Sequence, residues 1–68
     1  MSVYKVIELI GTSSKSWEDA AASAVSTARE SVRDLRVAEV VKQDLDIGDD
    51  GTLTYRCKIS VSFKYESA

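Results

Sequence analysis

Residues Leu53 to Tyr65 alternate without a break. Leu53, Tyr55, Cys57, Ile59, Val61, Phe63 and Tyr65 are apolar, and Thr54, Arg56, Lys58, Ser60, Ser62 and Lys64 are polar. A period of two places each kind on its own face of a sheet, so the pattern predicts a strand with one apolar side. Val3 to Ile10 is β-branched and apolar on both faces apart from Lys5 and Glu8, and Gly11 closes it. It reads as a strand covered on both sides. Thr12 to Ser16 is a polar loop. From Trp17 to about Arg33 the period changes. Trp17, Ala20, Ala21, Ala24, Val25, Ala28 and Val32 recur at three and four residues, one apolar stripe on a helix. Ser16 with Asp19 three residues on fits a capping box. Glu18 and Asp19 at the start, and Arg29 and Arg33 at the end, complement the helix dipole. Leu35 to Ile47 is a further strand, with Leu35, Val37, Glu39, Val41, Gln43, Leu45 and Ile47 on one side and Ala38 and Val40 on the other. Gly48-Asp49-Asp50-Gly51 is a hairpin turn.

The order is β-α-β-β in one domain over residues 1–68, an α+β fold with a three-stranded sheet that holds the helix on one face. A helical crossover suits parallel first and second strands, with the long third strand antiparallel between them.

Size makes this arrangement incomplete. A strand of thirteen residues reaches ~43 Å, whereas a compact chain of 68 residues has a diameter of roughly 28 Å. The alanine stripe also buries little area per residue. Chains this short usually need disulfides, a metal or partners. Cys57 is the single cysteine and there is no histidine, which removes an internal disulfide and a Cys/His zinc site. Oligomerisation is the remaining common remedy, so the expectation is an assembly.

Charge narrows the function further. A net charge of −2 with no Lys/Arg block gives no basis for nucleic-acid binding. No apolar run approaches a membrane span, and Met1 to Lys5 lacks the start of a signal peptide, so the expectation is a cytoplasmic protein that does not enter membranes. No glycine-rich phosphate loop and no nucleophile paired with a base appear. Cys57 falls on the apolar face, where a thiol is buried and inert, and Trp17 reads as a packing anchor. Asp44, Asp46, Asp49 and Asp50 are close in sequence and supply the oxygen ligands hard cations take, but they match no calcium-loop motif, and a solvated acidic hairpin is the plainer reading. Single carboxylates such as Glu8 or Glu39 can also be gathered at an oligomer axis. Arg56, Lys58 and Lys64 form a polar row that suits an interface, an anionic-ligand pocket or plain solvation.

The run Val3-Tyr4-Lys5-Val6-Ile7-Glu8-Leu9-Ile10-Gly11-Thr12-Ser13, the alanine-rich helix, Ala38-Glu39-Val40 and Val61-Ser62-Phe63 together resemble the dodecin family along almost the whole chain. The resemblance implies a hollow homododecamer built from trimers, in which three-stranded sheets wrap the helices. It also implies a protein that binds and stores flavins, such as riboflavin or FMN, without turning them over. In that family the flavin ring stacks on a Trp at the start of the second strand and bonds to a Gln in the third. Here those positions hold Val37 and Arg56, and two further pocket positions hold Lys42 and Asp46. The Thr-Ser-x-x-Ser-Trp segment at Thr12 to Trp17 and the aliphatic Val37 resemble a subgroup described as calcium dodecins. In this chain the candidate ligands to a divalent cation, calcium or magnesium, are Asp44, Asp46 and Glu39.

Two readings stay open at this stage. One is a non-enzymatic shell with weak or lost flavin binding, which takes a cation or another small ligand. The other is a flavin-sequestering member whose pocket is rebuilt around the Arg56 guanidinium.

Overall fold

The computed structural model describes residues 2–65. Strand β1 covers Tyr4–Ser13, helix α1 Trp17–Ser31, β2 Leu35–Ile47 and β3 Leu53–Lys64. The strand order is β1-β3-β2, and β3 is antiparallel to both neighbours. The β-α-β-β order and the central place of the third strand are as the pattern predicts. The radius of gyration is 14.1 Å and the chain extends over 52 × 20 × 16 Å, against about 11 Å expected for a compact globule of this length. The strands do project beyond the body that one helix can cover.

The helix packs on one face of the sheet, mainly over β1 and β3 and hardly over β2. Its buried residues are Ala20, Ala24 and Ala28, and the first two meet Cys57, Ile59 and Val61 of β3 in a small core flanked by Ile7, Leu9, Val25 and Leu35. Gly11 explains how the helix comes so near. A Cβ at this position would lie 2.0 Å from the Ala20 carbonyl oxygen and 2.9 Å from the Ala24 Cβ. The glycine therefore does not close β1. The strand continues through it to Ser13, and its missing side chain is where the helix sits.

The continuation of β1 changes the reading of the loop as well. Ser13 is buried, and its Oγ donates to Asp19 Oδ2 at 2.6 Å while accepting from the backbone N–H groups of Lys15 and Ser16. Ser16 caps the helix by accepting from the Asp19 N–H at 3.0 Å. The expected box is thus half formed. Asp19, shorter than Glu by one methylene, turns its carboxylate to Ser13, and Ser13 takes the Ser16 N–H that a box would have satisfied. At the other end α1 stops at Ser31, with Val32 already extended and Asp34 at φ 58°, so Val32 and Arg33 lie outside the helix. Arg29 alone is left as a basic group in the last turn.

The main departure is in β2. Its register against β3 slips between Leu35 and Val37 and again between Val40 and Lys42, so Arg36 and Val41 occupy bulges. Each bulge adds a residue and reverses the alternation that follows. Leu35, Ala38, Val40, Gln43, Leu45 and Ile47 share the helix side of the sheet. Val37, Glu39, Lys42, Asp44 and Asp46 face away from it. The expectation that Val37 and Glu39 lie on the side of Gln43 and Leu45 is therefore wrong, because strict alternation cannot register an inserted residue.

Two-sided cover of β1 is also absent within one chain. Tyr4, Val6 and Ile10 are exposed on the face opposite the helix. Beyond β2, the Gly48 N–H donates to the Thr52 carbonyl, Gly51 adopts φ 86°, and Asp50 Oδ1 accepts from the Thr52 N–H. The hairpin is as predicted, and the Asp50 carboxylate serves the turn.

Candidate functional site on the open sheet face

The sheet face away from the helix carries the polar residues of all three strands. The register arranges them in cross-strand rows: Thr12, Arg56 and Asp44; Ile10, Lys58 and Lys42; Glu8, Ser60 and Glu39; Val6, Ser62 and Val37. Facing residues in such rows are close enough to interact.

Asp44 and Arg56 form the firmest contact. Arg56 Nε donates to Asp44 Oδ1 at 2.7 Å and Nη2 to Oδ2 at 3.2 Å, a two-pronged fit of guanidinium to carboxylate. The hydrogen bond to Arg56, and after it the charges of Arg56 and Lys42, hold the Asp44 carboxyl below the usual carboxylate range against the opposing effect of desolvation. The same hydrogen bond raises the Arg56 guanidinium above its ordinary value, with a smaller contribution from Asp46. The backbone at Asp44 is fixed from the other side of the sheet. Trp17 Nε1 donates to the Asp44 carbonyl oxygen at 3.1 Å, and the indole meets Tyr55 edge-on with ring centroids 5.1 Å apart. Trp17 is the packing anchor its position predicts, and its indole N–H also ties the helix start to β2.

One row further, Lys58 Nζ lies 3.3 Å from Glu8 Oε1. Lys42 faces Lys58 directly across the strand pair. Ile10, Lys42, Asp44, Arg56 and Lys58 line a shallow cavity of about 160 Å³.

Of the four family pocket positions, Lys42, Arg56 and Asp46 fall in consecutive rows. Val37 lies apart, opposite Ser62. Six residues of β3 separate Ser62 from Arg56, about 20 Å of strand, so one chain does not bring Val37 and Arg56 together. Val37 is 62% exposed and offers no aromatic surface. Arg56, already held in two bonds by Asp44, is not free to replace the Gln amide. These residues do not fit a stacked flavin within one chain.

The three candidate metal ligands are likewise spread out. Asp44 and Asp46 occupy neighbouring rows, and Glu39 sits beyond Lys42. No group of three or more His, Cys, Asp or Glu among the described residues converges as a metal site would require. The carboxylate chemistry suits a hard cation, but a complete shell needs oxygens from more than one copy.

Cys57 is fully buried with a free thiol, as its place on the apolar face predicts. Among the described residues no helix is long and apolar enough to cross a membrane. The part of Ile10 in the cavity wall, and the indole bond to the Asp44 carbonyl, were not visible in the sequence. Both depend on strand register, and the only sequence signal for either was the apolar outer face of β1.

The comparisons with known proteins agree with this fold. The family model described as Dodecin matches residues 3–66. Calcium dodecin from Mycobacterium tuberculosis is 59% identical over 68 residues, spanning 100% of this chain and 96% of that protein. Dodecin from Thermus thermophilus is 38% identical over 64 residues, spanning 94% of this chain and 93% of that one. The crystal structure of the M. tuberculosis calcium dodecin, a calcium-chelating antigen with a novel calcium-binding site, superposes with a TM-score of 0.90 at 57% identity, covering 98% of this chain and 96% of that one. Fold, motif and full-length identity lead to one conclusion: this chain belongs to the dodecin family.

Proposed function

We propose that the chain is a non-enzymatic small-ligand-binding protein that works as a homododecamer built from trimers, with calcium or another divalent cation as its ligand and with flavin binding weak or lost. The observation that carries this reading is the state of the family's flavin positions. Val37 supplies no platform, and Arg56 is held in two hydrogen bonds by Asp44. A flavin would forgo an aromatic stacking contribution of about 0.5–1.5 kcal/mol beyond burial.

Calcium is favoured by the near relative that carries calcium in its name and by the carboxylates Glu8, Glu39, Asp44 and Asp46, which share the open face. Calcium takes about six to eight oxygens, so copies related by symmetry would complete its shell. Glu39 and Asp46 are the ligands this chain can offer, since Asp44 is engaged by Arg56. Assembly is supported by the apolar side chains left uncovered in one chain, among them Val6, Ile10, Val40 and Ile47.

Terbium luminescence tests the cation. Trp17 lies against the Asp44 backbone and can sensitise an ion bound nearby. The expected result is a saturable signal that calcium displaces, carried by a dodecamer-sized species in sedimentation and reduced in Asp46→Asn and Glu39→Gln. Riboflavin fluorescence should stay largely unquenched. A yellow preparation that quenches flavin strongly, with Val37 and Arg56 unaltered, would replace this reading by flavin sequestration around Arg56. A folded monomer at micromolar concentration would remove the shell.

A further inference from the structure

We infer that Trp17 is a positioning residue for the open-face site: from the helix side, its indole holds the stretch of β2 in which Arg56 neutralises Asp44 and Asp46 is left to a cation. The inference rests on the cation reading above and assigns to that site a residue on the opposite face of the sheet. β2 needs such a hold. Within one chain it is an edge strand, paired only with β3, and the helix hardly covers it. Its register has already shifted at Val41. A further slip of one residue would turn Asp44 and Asp46 to the helix side. Between that bulge and the turn at Gly48, Trp17 supplies the one side-chain hydrogen bond from α1 to β2 among the described residues, from Nε1 to the Asp44 carbonyl oxygen at 3.1 Å.

The indole touches both strands at the row that matters. Asp44 pairs with Arg56, and the adjoining pair is Leu45 with Tyr55. Trp17 bonds the backbone of Asp44 in the first pair and meets the Tyr55 ring of the second edge-on, with centroids 5.1 Å apart. Both contacts hold only in the observed register. A slip of one residue would carry the Asp44 carbonyl about 3.4 Å along the strand and away from the indole N–H. Asp46 lies two residues, about 7 Å, beyond Asp44 on the same face. A backbone fixed at Asp44 therefore sets where the Asp46 carboxylate stands. Trp17 is itself fixed at the helix start, where Ser16 accepts from the Asp19 N–H and Ser13 donates to the Asp19 carboxylate. The hold thus runs from Ser13 on one edge strand, through the first turn of the helix, to Asp44 on the other.

The test compares Trp17→Phe, which keeps a ring beside Tyr55 but has no N–H to donate, with Ala28→Gly, which loosens the far end of the helix. Hydrogen exchange of the intact, calcium-free protein, followed by mass spectrometry, reads the strand directly. Trp17→Phe should speed exchange of the backbone amides of residues 42–47 about fivefold, and Ala28→Gly should leave them at the wild-type rate. Calorimetric titration with calcium chloride gives the second readout. Groups that orient metal ligands from behind typically account for about tenfold or more in affinity. Trp17→Phe should therefore bind calcium about tenfold more weakly, and Ala28→Gly as the wild type does. Wild-type exchange over residues 42–47 in Trp17→Phe, equal acceleration there in Ala28→Gly, or undiminished calcium affinity in Trp17→Phe would each overturn the inference. Faster exchange in Trp17→Phe alone, with no calcium bound by the wild type, would remove the cation reading and support the hold of Trp17 on β2.

Discussion

The two faces of the sheet are built on opposite rules. The helix face is closed by small groups at short range: the alanine methyls of α1, the bare Cα of Gly11, and Cys57, Ile59 and Val61 beneath them. At Gly11 no side chain can be added without moving the helix. The open face is built from long charged side chains whose order along β2 is set by two bulges. Its contacts are polar and partly solvated, and each contributes little to stability. The difference teaches where the chain stores stability and where it has latitude to change ligands. Substitutions on the first face should unfold the subunit, and those on the second should alter what it binds.

The sharpest way to break the comparison is at Gly11. Gly11→Val would place a branched side chain where even a Cβ meets the Ala20 carbonyl, and overpacking of this kind should cost about 3 kcal/mol or more. Chemical denaturation checks it. A variant that unfolds like the wild type would show that the helix approach is looser than the geometry indicates. Next in size is Trp17, which ties the helix face to the β2 backbone. Trp17→Phe keeps the ring against Tyr55 and removes the N–H to the Asp44 carbonyl. It should cost about 1 kcal/mol and broaden the Asp44 and Arg56 signals in NMR spectra.

The smallest effect is at the Asp44–Arg56 pair, where the readout is pH. The Asp44 carboxyl titrates lower folded than unfolded, chiefly through its hydrogen bond to Arg56. Its contribution is present above the unfolded carboxylate value, about 3.9, and is lost as pH falls through the lower folded value. Side-chain carboxyl shifts should report that low midpoint. Arg56→Gln should return it toward the ordinary range, with little change in melting temperature at neutral pH because the pair is partly exposed.

The sequence by itself determined the elements and their order. Period two over Leu53 to Lys64, period 3.6 over Trp17 to Val32 and the Gly-Asp-Asp-Gly turn are local signals, and side-chain direction along an element follows from its geometry. The excess of strand over core was legible for the same reason, since length per residue is fixed. Burial of Cys57 followed from alternation in β3, which is unbroken. The tertiary structure decided the rest. Gly11 ends no strand, because its neighbour is a helix turn distant in sequence. Ser13 is satisfied by Asp19, a pairing that needs β1 to extend past its glycine. Val37 and Glu39 face away from the helix, and Lys42 meets Lys58, because bulges at Arg36 and Val41 shift the register. A bulge depends on which partner residues fit across the strands, so no run of hydrophobic and polar letters along β2 alone could have located it.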